Sequence, residues 1–259
     1  MRIALGIEYD GHEFYGWQFQ DGLVTIQNCL EQALTKITHE KISLICAGRT
    51  DAGVHATGQV AHFDTDAVRE IRAFTMGTNT HLPPTISVRW AQEVDEEFHA
   101  RFSATARRYR YIIYNSPIRT AILASRVTWF HYPLDAERMH TAAKELLGKH
   151  DFTSFRSSQC QSKTPIRTVH SIEVKRQGEF VTIEIEANAF LHHMVRNIAG
   201  VLLRIGSYQL EPKAVSEILE AKDRRQAFET ASATGLYLSK VTYPEPYTFA
   251  ISPDSLLYF

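Results

Sequence analysis

Ala47-Gly48-Arg49-Thr50-Asp51-Ala52-Gly53-Val54-His55-Ala56 lies between two runs that read as strands. Before it, from Lys41 to Cys46, Ile42, Leu44 and Cys46 alternate with Lys41, Ser43 and Ile45; after it, Gly58 to Phe63 (GQVAHF) is apolar and compatible with a strand. The connection is longer than a hairpin needs. Two glycines open backbone angles closed to other residues, and one arginine, one carboxylate and one histidine supply chemistry. Loops held between rigid strands often carry function. Composition alone also allows a plain surface loop, with Asp51 closing a turn and Arg49 in solvent.

Working outward, Thr25 can cap a helix whose Ile26, Leu30, Ala33, Leu34 and Ile37 form one apolar stripe. Ile3, Leu5, Ile7 and Tyr9 share one face of an opening strand that ends at Asp10-Gly11-His12. Beyond the loop, a shorter helix is expected over 67–76 and a strand over 85–94, where Ile86, Val88 and Trp90 alternate. The order is βαββαβ. The second half repeats it: a strand at 106–114, a helix at 135–147 with Met139, Ala142, Ala143, Leu146 and Leu147 inward, a hairpin of 169–175 and 180–187 about Gln177-Gly178, a long apolar helix over about 191–205 and a last strand at 236–243. Pro212 to Glu229 reads as an extra helix. The expected fold is α/β in the α+β sense. Two ferredoxin-like βαββαβ halves, residues 1–105 and 106–259, join into one mixed, mainly antiparallel sheet, with helices on one face and a catalytic cleft on the other.

With 259 residues, 44% hydrophobic and 22% charged, the chain has ordinary globular composition. Its three cysteines, Cys29, Cys46 and Cys160, are odd in number and lack CxxC spacing, which argues against a disulfide framework or a structural zinc site. No signal peptide or membrane span is read, so the expected compartment is the cytoplasm. His192 and His193 are adjacent and would diverge on a strand or helix; without HExxH spacing, neither a metal nor another cofactor is expected. Lys plus Arg number 28 against 29 acids, so any nucleic acid must meet a local basic patch.

GRTDAGVHA resembles the central element of the tRNA pseudouridine synthase A family. Other stretches resemble the family in the same order along nearly the whole chain: Tyr9-Asp10-Gly11, Phe14-Tyr15-Gly16-Trp17-Gln18, Ala106 to Tyr111 (ARRYRY), Asp151 to Phe155 (DFTSF), Asn188 to Asn197 (NAFLHHMVRN) and Gly235 to Leu238. The resemblance implies an isomerase that converts uridine to pseudouridine in the anticodon stem-loop of tRNA, at about positions 38 to 40. It implies a homodimer without a cofactor. Asp51 is then the catalytic carboxylate, Arg196 its cationic partner, and Tyr109 the ring over the target base whose phenol is a plausible participant in removing the carbon 5 proton. Arg49 would fill the stack left by the extruded uridine, and Leu238 would pack near the base.

From the residues themselves, burial raises a carboxylic acid's pKa above its ordinary value of about 3.9, so a partly buried Asp51 needs a cation to stay ionised. Arg108 and Arg110 point opposite to Tyr109 and Tyr111 on a regular strand, and with Arg101 and Arg107 they set basic residues around Tyr109, a mixture that suits backbone charge plus stacked bases. A second mixture sets Lys149, His150, Arg156, Lys163 and Arg167 around Phe152 and Phe155. His55 can contact RNA or stabilise its turn. Competing functions are a non-catalytic RNA-binding module, against which the lack of an RNP1-type strand counts, and a nucleoside-processing hydrolase built on Asp51.

Overall fold

The computed structural model describes residues 1–249. The chain packs as two compact units, Ala106–Leu236 and a discontinuous one made of Met1–Thr105 with the chain from Tyr237 onward. Sequence order assigns the last strand to the second half; its packing groups it with the first.

In the first unit the alternating apolar residues form β1 (Arg2–Tyr9), with Ile3, Leu5, Ile7 and Tyr9 buried. Thr25 caps α1 (Ile26–Thr38), its hydroxyl accepting from Asn28 N. β2 is only Ile45–Cys46, shorter than the alternation from Lys41 suggests. Ile42 and Leu44 are buried as expected, but the Leu44 N–H donates to Glu31 Oε1 of α1 at 2.8 Å, so a side chain takes the bond that strand pairing would have used. β3 (His55–Asp64) starts earlier than expected and absorbs the last residues of the loop. The helix expected over 67–76 is displaced: helical backbone covers 71–79, with a π-type turn at Ala73–Gly77. β4 (Ile86–Val94) follows. β1 lies antiparallel between β3 and β4, pairing Arg2 with Asp64 and with Val94.

The second unit opens with β5 (Ala106–Asn115), flanked in parallel by β6 (Thr128–Phe130). Asp135 caps α2 (Ala136–Ala143) by accepting from Arg138 N, and a 3₁₀ turn, Lys144–Leu146, extends it. Leu147, expected inward, is exposed, because the chain leaves the helix with extended backbone at that residue. β7 (Gly148–Asp151), β8 (Ile166–Gln177) and β9 (Phe180–Ala187) complete an antiparallel order β5-β9-β8-β7. α3 (Met194–Gly206) begins later than the apolar run suggests, because His193 takes a left-handed φ of 63° and cannot lie inside a right-handed helix. The extra helix is broken in two: α4 (Ala214–Ala221) ends at left-handed Lys222, and a 3₁₀ turn covers Arg224–Ala227. β10 (Leu236–Thr242) runs parallel to β3, aligning Tyr237 with His55 and Leu238 with Ala56. Strand pairing within each unit is mainly antiparallel and helices accompany it, a mixed α/β architecture. Among the described residues no helix is long and apolar enough to cross a membrane.

Candidate active site

Asp51 sits in a short connection that begins after β2 and ends where β3 starts at His55. Its position is fixed through neighbours. Thr50 is buried, and its hydroxyl shares a 2.8 Å hydrogen bond with the Tyr9 phenol at the end of β1. The carbonyl of Thr50 accepts from Trp17 N at 3.0 Å, and the Asp51 carbonyl accepts from Val54 N at 3.1 Å. Gly16, at a φ of +84°, lies so close that a Cβ there would stand 2.7 Å from Thr50 O and 3.0 Å from the Asp51 carbonyl carbon. Gln59 of β3 donates to Gly48 O at 2.7 Å. Backbone and buried side chains thus hold both flanks of a half-buried carboxylate, while Arg49 beside it is exposed.

His55 is not at the surface of this loop. It is 1% exposed, stacks on Tyr237 at 4.6 Å between ring centroids, and its Nδ1 accepts from Gly11 N at 3.0 Å with Asp10 Oδ1 3.1 Å away. The Tyr9-Asp10-Gly11 stretch and the histidine therefore form one structural joint. Leu238 is wholly buried beside Ala56. Burial pushes the Cys46 thiol up to about 12, which removes it as a thiolate at neutral pH.

The second unit carries the other candidates. Tyr109 is 8% exposed on β5, and Phe190 meets it edge to face at 4.9 Å. Tyr111, on the same side of the strand, donates to Ser232 O at 2.9 Å and shares a bond with Thr128. Burial raises its phenol pKa far above the ordinary value, opposed by the Thr128 bond and by the charge of Arg196. Arg196 of α3 donates through Nε to Ala231 O at 2.8 Å. Arg108 and Arg110 project to the opposite side, where Arg108 meets Glu186 at 2.9 Å and Arg110 meets Glu184 at 2.7 Å. Their charge is matched within the protein. Phe152 and Phe155 are fully buried, so the expected stacking platform among the basic residues near them does not exist. The His192 and His193 rings lie 4.0 Å apart; the left-handed backbone at His193 brings together two neighbours that a strand or helix would have sent apart.

Several residues of the arrangement had no role assigned from sequence. Asn197 is completely buried, donates to Phe155 O at 2.7 Å, and accepts from Arg224 and Thr230 at 3.0 and 2.7 Å, tying the DFTSF stretch to α3. Gly16, Gln59 and Phe190 act by fit and hydrogen bonding. Only the presence of Gly16, Phe190 and Asn197 inside family-like stretches signalled them.

A family model described as tRNA pseudouridine synthase matches residues 6–103 and 142–244. A protein named tRNA pseudouridine synthase A from Photorhabdus laumondii subsp. laumondii is 61% identical over 244 residues, covering 94% of this chain and 92% of its own. A relative of the same name from Shewanella sp. strain MR-4 is 60% identical and covers 95% of both chains. Another, from Actinobacillus succinogenes, is 54% identical over 98% of this chain and 96% of its own.

Proposed function

The chain belongs to the tRNA pseudouridine synthase A family, whose reaction isomerises uridine to pseudouridine in tRNA, and on that premise we propose that Asp51 is the carboxylate that opens the glycosidic bond. The bond from ribose carbon 1 to uracil N1 breaks, the base turns, carbon 5 bonds to the same ribose carbon, and the carbon 5 proton leaves while N1 regains one. Electrons and atoms balance without an oxidant, an energy source or a metal. An ionised aspartate serves the first step by attacking the electron-poor sugar or base or by removing the neighbouring 2′ proton. In this reading Arg196 keeps that carboxylate ionised, and Tyr109 lies over the base and assists removal of the carbon 5 proton. Exposed Arg49 enters the stack that the uridine vacates. Leu238 contributes packing, and His55 contributes by fixing the loop from beneath. Arg108 and Arg110 reach RNA only by exchanging Glu184 and Glu186 for phosphate. The substrate region is the anticodon stem-loop at about positions 38 to 40, the working form a homodimer, and the setting the cytoplasm.

What carries the proposal is Asp51 within GRTDAGVHA, half-buried and clamped on both flanks by buried neighbours. The test is Asp51→Asn, with pseudouridine formation and tRNA binding measured side by side. Asparagine keeps the volume and the turn, so the fold should persist and tRNA should still bind, while turnover falls by roughly 10³-fold or more. Retained isomerisation, after deamidation is excluded, would remove Asp51 from the mechanism. Free uracil released by the wild-type protein would replace the isomerase with a hydrolase, and tRNA binding without pseudouridine would leave a binding module.

A further inference from the structure

Arg167, near the start of β8, is 9% exposed, and the half-buried Arg108 and Arg110 of β5 make a contrast with it. Arg108 and Arg110 meet carboxylates; among the described residues none acts on Arg167. Its Nη1 donates to Thr164 O at 2.9 Å and Ile166 O at 2.6 Å, and its Nη2 to Ser162 Oγ at 2.6 Å. Its Nε is buried and has no hydrogen-bond partner. A guanidinium cannot shed its proton to escape burial, so a buried one without a counter-charge is costly. Burial lowers its pKa, and only the Cys160 thiol works in the other direction.

What covers this arginine is the irregular stretch Ser157 to Thr164, reading SSQCQSKT, in which Ser158, Gln159, Gln161, Lys163 and Thr164 are exposed. It has no apolar side chain to anchor it over the guanidinium. The carbonyl and hydroxyl it offers are neutral acceptors set around a fork of N–H donors, an arrangement that an anionic oxygen pair satisfies better. Its first residue and the strand it leads into are tied to the segment 188–197: Ser157 N donates to His192 O at 2.9 Å, and Thr168 N of β8 donates to Asn188 Oδ1 at 2.9 Å. Lys163 adds an exposed cation at the rim.

We propose that Arg167, Ser162 and Lys163 form a binding site for one backbone phosphate of the RNA substrate, reached when the stretch 157–164 yields its neutral acceptors to the phosphate oxygens. The proposal rests on the tRNA reading given above, and it assigns to this segment a clamp on the RNA backbone beside the NAFLHHMVRN stretch.

The experiment compares full-length wild type with Arg167→Met, which keeps length and removes charge. An uncompensated charge predicts a variant whose melting temperature is equal or higher, whose tRNA affinity is weaker by roughly tenfold, and whose plot of log affinity against log salt is shallower by about one phosphate's worth, a slope change of about 0.7 to 0.9. Unchanged affinity and slope in a folded Arg167→Met protein would overturn the site. Should the variant fail to fold, wild type decides: inorganic phosphate should raise its melting temperature above that in chloride of equal ionic strength, and no difference overturns the proposal. Failure of the enzyme reading shows elsewhere, as wild type that makes no pseudouridine, and leaves the phosphate-dependent melting shift as an independent measure of the anion site.

Discussion

At Gly16 a Cβ would press on Thr50 O and on the carbonyl carbon of Asp51, in a backbone conformation of φ +84° that side chains resist. Gly16→Ala should therefore act on the Asp51 loop from behind. A misplacement of about 1 Å can cost on the order of 10²-fold in rate, whereas the strain itself costs about 1–3 kcal/mol. The expected outcome is a folded protein with a modestly lower melting temperature, near-normal tRNA affinity and a kcat reduced by roughly two orders of magnitude, measured by single-turnover pseudouridine formation. Wild-type kcat would show that the loop accommodates the methyl group without moving Asp51. At this scale the Asp51 loop stood out in the sequence because nine consecutive residues matched a family pattern. The burial of His55 was not, since nothing local to the loop reveals that Tyr237, from the far end of the chain, supplies the ring beneath it. Charge matching of Arg108 and Arg110 was equally invisible, because their glutamates enter through the register of β9.

The elements were legible in order and type where a periodic apolar pattern was long, as in β1, α1, β5 and the β8–β9 hairpin. Their ends were not, because ends are decided by single hydrogen bonds and single backbone angles. Glu31 shortens β2, and left-handed residues at His193 and Lys222 set where α3 starts and α4 stops. β3 supplies a pH-dependent contact of its own. His62 is buried, accepts from Ala100 N at 3.1 Å, and packs against Phe98 and His99. Burial, then the charges of Arg2 and His99, push its pKa down to about 4, with Asp64 opposing. Above the unfolded value of about 6.5 the ring is neutral in both states and the contact is intact. As pH falls below that value the unfolded chain takes up the proton first, so stability declines until about pH 4 and then levels with respect to this group. The loss is on the order of 3 kcal/mol across that window. Urea unfolding from pH 7 to 4 should show a steeper fall for wild type than for His62→Gln. Parallel profiles would mean that the ring titrates alike in both states. Asp64, held low by its hydrogen bond to Arg2, loses its contribution only at lower pH.

Over the whole molecule the formal charge is −1, yet the substrate of its family is a polyanion. Affinity must come from local cations, and each phosphate they neutralise releases counterions. The expected measurement is a tRNA dissociation constant that weakens steeply with salt, by about tenfold or more between 50 and 200 mM, despite the near-zero net charge. A flat response would place recognition in base contacts instead. The alternation of strands and helices was readable from the sequence, while β6, β7 and the grouping of the last strand were not, because strands of three or four residues carry little apolar period and sequence order carries no information on where a returning strand will insert. That grouping bears on how the chain is made. The first unit is written in two pieces, with the whole of the second unit between them, and β3 pairs with a strand that leaves the ribosome last. Ala106–Leu236 is continuous and can close while synthesis is still in progress; the N-terminal piece emerges earlier, with β1 and β2 already beside β3, but the His55–Ala56 end of β3 waits for its parallel partner until Tyr237 and Leu238 arrive. A premature stop between residues 105 and 237 thus strips a partner from the part of the protein that was translated first, so that the oldest segment of the nascent chain, not its newest, is the one left incomplete.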